Sequence, residues 1–217
     1  MAAPNDGRIE PGLPADRTLT VAATESPLQA DRGRPVYLGA CRIDIVRRAG
    51  TRPILTDARL ARTIARALEA AGAPEPVSLT VVLTDDEELE ELNRTHLGKD
   101  GPTDVLSFPM LLARSFPPHP GQDPARLAGE VAPPGPEPNP GSRTHLGDIA
   151  ISVERAIDQA ESGHGGQAGN VRWSSADELR LLATHGTLHI CGWDHAEREE
   201  EAAMRALEQR LLAEERR

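Results

Sequence analysis

The chain has little of what several broad protein classes require. Only two cysteines occur in its 217 residues, Cys41 and Cys191. They build no disulfide framework and fit a reducing compartment, the cytoplasm. Lysine occurs once, at Lys99, so almost all positive charge rests on arginine. The opening Met1-Ala2-Ala3-Pro4-Asn5-Asp6 lacks a basic segment followed by an apolar one, which speaks against a secretory signal. No apolar run approaches membrane-spanning length, so no membrane partner is expected. Apolar residues make up 38% of the chain, low for one folded throughout. The net charge of −10 argues against broad electrostatic binding to nucleic acid, and DNA is not an expected partner. No internal repeat is found.

What is present is unevenly distributed. Of the 19 prolines, nine fall between Pro117 and Pro140 and five in the first 35 residues. Residues 1–35 mix Pro, Gly, Asp and Arg without periodicity and read as a disordered tail. Residues 36–217 read as one domain, interrupted by a flexible Pro-rich insertion over about 111–143. Alternation around Arg42-Ile43-Asp44-Ile45 predicts a strand over 36–46. Val77–Thr84 is the strongest strand signal, and Asp104–Phe108 and Leu146–Ser152 supply two more. Helices are expected from Thr56 or Asp57 to Ala71, from Thr84 or Asp85 through Leu92, from Ser152 to about Glu161, from Ser175 through the C-terminal histidines, and from about Ala196 to Arg216. The fold class is therefore α+β, a mixed four-stranded sheet packed with about five helices. Seven arginines between Arg42 and Arg66 form a candidate basic face, or a solvated surface of an arginine-rich chain.

Three of the seven histidines fall within eleven residues: His185, His189 and His195. The first two are four apart, which puts them on one face of a helix. Gly192 is a natural stop for that helix, and a glycine there lets the chain reverse and bring back His195. Two imidazoles from a helix and one from the returning chain make a three-ligand metal site with an open fourth position, the layout of a catalytic zinc centre of zincin-like geometry. Cys191 is an alternative ligand, but it lies off the histidine face and reads by preference as a small buried thiol. Asp194 is placed to orient a ligand or to cap the last helix. The helical zinc-protease motif carries a glutamate directly after its first histidine. Here that position is Gly186, which disfavours peptide hydrolysis without removing it as an alternative.

At these residues the sequence resembles the YbeY family of endoribonucleases and rRNA maturation factors. The resemblance rests on three blocks in order: Gly101–Pro109 preceded by Leu92-Asn93, Leu146–Ser152, and His185–His195. It spans about 77 to 212. It implies a single-strand-specific, metal-dependent RNase acting in 16S rRNA 3′-end maturation and ribosome quality control. By position, zinc would sit on His185, His189 and His195, with Thr103–Pro109 lining the cleft. The implied partners are single-stranded ribosomal RNA and ribosome or small-subunit assembly factors. One departure stands out. Where the family usually has an aromatic residue and then an arginine tied to RNA cleavage, this chain has His96 and Leu97. Arg94 and Lys99 are the neighbouring cations within reach of a backbone phosphate. A ribosome-assembly factor with weak catalysis is the reading that Leu97 favours. Trp173 and Trp193 are candidates to stack on an unpaired base, with packing beside the metal site as the reading preferred for Trp193.

Overall fold

In this computed structural model the described residues are 28, 34–101, 103–130, 142–163 and 173–215. Five strands form one mixed sheet: β1 (Arg34–Leu38), β2 (Cys41–Arg47), β3 (Val77–Thr84), β4 (Val105–Pro109) and β5 (Thr144–Ser152). Their order across the sheet is β1-β2-β3-β5-β4. The central β2, β3 and β5 run parallel, and each edge strand is antiparallel to its neighbour. Central parallel strands are covered on both faces, which is why the successive Val81, Val82 and Leu83 of β3 are all buried.

The sheet has five strands where four were expected. The single strand anticipated over 36–46 is a hairpin, with Leu38 paired to Cys41 across a two-residue turn at Gly39 and Ala40. Gly39 has φ +59°, the left-handed value such a turn needs. Gly-Ala is a weak turn signal beside Asn-Gly or Asp-Gly, so the alternation reads straight through it. Most of the tail expected over 1–35 lies outside the described residues. Leu28 is buried, and β1 begins at Arg34.

Six helices are present among the described residues: α1 (Asp57–Ala70), α2 (Asp86–Leu97), α3 (Pro124–Gly129), α4 (Val153–Ser162), α5 (Ser175–Ile190) and α6 (Arg198–Glu215). The main core lies on one sheet face, where α1 and α5 pack against the strands and α4 and α6 flank α5. The predicted stripe Leu60, Ile64, Leu68, Ala71 is buried there, each large side chain contributing about 1.5–3 kcal/mol of transfer free energy. A smaller core on the opposite face joins Leu28, Val46, Val82, Leu89, Leu106, Phe108 and Ala150 under α2. Helix α2 runs five residues beyond the expected Leu92, to Leu97. It stops where Gly98 takes a left-handed conformation (φ +63°) and its N–H bonds the Arg94 carbonyl.

Part of the Pro-rich stretch lies within the described residues. Residues 113–130 are packed chain: a 3-10 turn at Ala113–Ser115, the buried Phe116, and the short helix α3 capped by Asp123. Residues 131–141 lie outside the described ones. No helix among the described residues is long and apolar enough to cross a membrane.

Candidate metal centre

Helix α5 carries the first two histidines and lies against the sheet. Its start is fixed by a capping box: the Ser174 hydroxyl accepts from the Asp177 N–H, and the Asp177 carboxylate accepts from the Ser174 N–H. Its buried face includes Leu179, Leu182, Ala183 and Leu188. Gly186 sits where α5 meets β4 and β5. A Cβ there would stand 2.9 Å from Ile149 Cγ2, 3.1 Å from Val105 Cγ2 and 3.2 Å from Ser107 Oγ. The Ser107 hydroxyl donates to the Gly186 carbonyl at 3.1 Å. The missing glutamate of the protease pattern thus has a packing reason, since no side chain fits between this helix and the sheet.

The helix ends in a Schellman turn. The Trp193 N–H bonds the Leu188 carbonyl at 3.1 Å, and the Gly192 N–H bonds the His189 carbonyl at 3.0 Å. Gly192 has φ +84°, and a Cβ on it would lie 2.5 Å from the Ala113 Cβ. Both conformation and space therefore demand glycine at this position. The turn brings His195 back over the end of α5. One ring nitrogen from each of His185, His189 and His195 lies within 4.8 Å of the others, and no other set of three or more potential ligands is found among the described residues.

The hydrogen bonds fix which nitrogens are available. His185 Nδ1 lies 2.8 Å from Glu208 Oε1 on α6, and His189 Nδ1 lies 2.9 Å from the Trp193 carbonyl oxygen. A carbonyl accepts only, as does an ionised carboxylate, so the partners assign the ring protons to Nδ1. The two Nε2 atoms then present lone pairs to each other at 3.0 Å. Burial, followed by the neighbouring His185 and His195, drives the His189 imidazole well below its ordinary pKa, which keeps it neutral as a metal ligand must be. A set of three imidazoles suits zinc with a free coordination position.

Cys191 stands apart from this set. It is fully buried, and burial pushes its thiol up to about 12, so no thiolate is on offer at neutral pH. Trp193 packs as expected, its ring stacked on His119 at 4.1 Å and 10°. A cleft of about 110 Å³ opens beside His189, lined by Ser107, Pro109, Leu111, Arg126 and Asp194 among others. The expected contribution of the Thr103–Pro109 block to the cleft thus comes from Ser107 and Pro109. Leu97 does not line it and packs on the smaller core. Arg94 pairs with Glu91. The Arg42–Arg66 run is largely tied up in ion pairs: Arg42 with Asp44, Arg47 with Asp57, Arg48 with Glu88 and Arg66 with Glu214.

Four residues near the histidines escaped the sequence reading: Glu208, Glu200, Arg126 and His119. Glu208 and Glu200 left a faint trace, being acids on the face of α6 that also buries Met204, Leu207 and Leu211. Arg126 and His119 left none, because they lie in a segment without periodicity.

Comparison with known proteins agrees with the residue blocks. The family model for Endoribonuclease YbeY matches residues 48–216. The Endoribonuclease YbeY of Salinispora tropica is 43% identical over 176 residues, covering 79% of this chain and 94% of that protein. The one from Symbiobacterium thermophilum is 43% identical over 155 residues, covering 70% and 81%. The one from Moorella thermoacetica is 39% identical over 159 residues, covering 71% and 85%. The chain belongs to the endoribonuclease YbeY family.

Proposed function

We propose that this member of the YbeY family is a zinc-dependent endoribonuclease of the cytoplasm. It cleaves single-stranded RNA and acts in 16S rRNA 3′-end maturation and ribosome quality control alongside small-subunit assembly factors. Family membership supports the reaction class. The observation that carries the reading is the convergence of three imidazoles, two of them holding their protons on the far nitrogen.

His185, His189 and His195 are the residues that would hold the metal. A divalent ion held there would supply Lewis acidity towards a phosphoryl oxygen and would lower the pKa of a water. The chain does the rest. Glu208 and the Trp193 carbonyl orient the first two rings. Pro109 and Leu111 give the cleft an apolar wall. A phosphodiester must bend down into this recess to approach His189, which a flexible single strand does at less cost than a duplex. With a net charge of −10, long-range attraction to RNA is weak, and binding should depend on contacts in the cleft.

Proteolysis is the weaker alternative. Its customary base would occupy residue 186, where the sheet leaves no room. The reading as an assembly factor with weak catalysis retains the support of Leu97, which brings no cation to the cleft. The test is elemental analysis of the purified protein, followed by incubation with a fluorogenic single-stranded RNA, the matching DNA and an unfolded protein. The proposal expects zinc and cleavage of RNA alone. Cleavage of the protein substrate would overturn it in favour of a protease, and intact RNA with zinc bound would favour the assembly factor.

A further inference from the structure

Residues 113–130 do more than fill space: they wrap the turn that presents His195. Ala113 lies against Gly192 so closely that a Cβ on the glycine would come within 2.5 Å of the Ala113 Cβ. Gly121 (φ +79°) lies against the first turn of α6, where a Cβ would meet the Glu200 nitrogen at 2.2 Å. His119 stacks on Trp193, and its Nε2 lies 2.7 Å from Glu200 Oε1. The Glu130 carboxylate accepts from the Ala113 and Arg114 N–H groups, closing the segment on itself.

Arg126 is the hub. One arm of its guanidinium pairs with Asp194. The other donates to Glu200 Oε1 at 3.0 Å and to the Gly192 carbonyl at 3.2 Å. The Asp194 N–H also donates to Glu200 Oε1 at 2.9 Å, and the other Asp194 oxygen accepts from the His195 N–H at 2.8 Å. The side chains of Asp194 and Glu200 are only 11% and 1% exposed, and among the described residues Arg126 is the one arginine that pairs with both, while His119 meets Glu200 alone. Buried carboxylates without that cation would be strongly unfavourable, and the turn would have to open to hydrate them. A planar fork serves two carboxylates and a carbonyl at once, which a lysine ammonium cannot do with the same geometry.

We propose that residues 113–130 form a strap that holds His195 in ligating position, with Arg126 as its positioning residue. Metal affinity therefore depends on a segment that supplies no ligand. The inference rests on the reading of the three histidines as a metal site.

The test compares the full-length wild type with Arg126→Gln and Arg126→Lys. Zinc affinity is measured by chelator competition, the ligand-field absorption of bound cobalt(II) is recorded, and the metal-free proteins are melted. Arg126→Gln is expected to weaken zinc by about 10- to 100-fold, the range for groups that orient ligands, and to diminish the cobalt(II) band. Its metal-free melting temperature should fall less than the metal-loaded one. Arg126→Lys should recover part of the affinity. Wild-type zinc affinity in Arg126→Gln would overturn the proposal. If Arg126→Gln does not fold, Arg126→Lys decides alone, and an affinity equal to wild type again overturns it. A wild type that binds no metal would instead remove the underlying reading of the histidines, and this inference with it.

Discussion

Truncating Glu208 isolates the orientation of one proposed ligand from the ligand itself. Its Oε1 accepts from His185 Nδ1 at 2.8 Å, and its side chain is 10% exposed. This bond holds the proton on Nδ1 and keeps the Nε2 lone pair aimed at His189 Nε2, 3.0 Å away. Removing such a partner typically costs about 10- to 100-fold in metal affinity, or about 1.4–2.8 kcal/mol at 1.4 kcal/mol per tenfold. A hydrogen bond to a charged group gives about 1.5–3 kcal/mol by an independent route. Glu208→Ala should therefore bind zinc about 10- to 100-fold more weakly than wild type. Glu208→Gln keeps an acceptor but loses the charge. Neutral hydrogen bonds are roughly half as strong as charge-assisted ones, so this variant should lose about 3- to 10-fold. The assay is competition for zinc against a chromogenic chelator at constant pH, with circular dichroism confirming that both variants fold. Wild-type affinity in Glu208→Ala would refute the reasoning. So would Glu208→Gln binding more weakly than Glu208→Ala, because the acceptor would then be irrelevant.

Three further outcomes follow from other parts of the molecule. Burial raises the Glu88 carboxyl, but its bonds to Arg48 and Thr84 and the Arg48 charge outweigh that and hold it below the usual value of 4.5. Its stabilisation is present above the unfolded value and lost as pH falls through the lower folded one. Glu88→Gln should thus be about 1 kcal/mol less stable than wild type at pH 7, with the gap in urea unfolding closing below pH 4.5; a gap independent of pH would contradict this. Gly186→Ala should be net destabilising, because overpacking costs about 1–3 kcal/mol and helix propensity returns only about 1; greater stability in urea would show that Ile149 and Val105 yield. Cys191, with its thiol pushed up to about 12, should stay inert to a disulfide reagent at pH 8 until the chain is unfolded; rapid labelling of the native protein at this position would contradict the burial.

The parts of this protein legible in the sequence are those set by near neighbours. His185 and His189 fall on one face because a helix turns every 3.6 residues. Gly192 announces the Schellman turn that returns His195. Strands β3, β4 and β5 and the apolar faces of α1 and α6 follow from periodicity in the same way. What stayed hidden depends on distant chain. Arg126 reaches Asp194 across 68 residues, and His119 reaches Glu200 across 81. A proline-rich stretch without alternation gives no sign that it will pack on a turn so far away. The β1–β2 hairpin was missed for a local reason, the weak Gly39-Ala40 turn within an uninterrupted alternation. The glycine at 186 was legible as a missing base, but its cause lies in Ile149 and Val105 on other strands.

The central claim is that the three-histidine centre cleaves RNA. The most direct measurement follows cleavage of a fluorogenic single-stranded RNA by zinc-loaded wild type and by His189→Ala, with metal content determined for both. The account predicts that the variant loses its zinc and its cleavage together, and that chelation followed by zinc addition abolishes and then restores activity in the wild type. Equal cleavage by His189→Ala would contradict it.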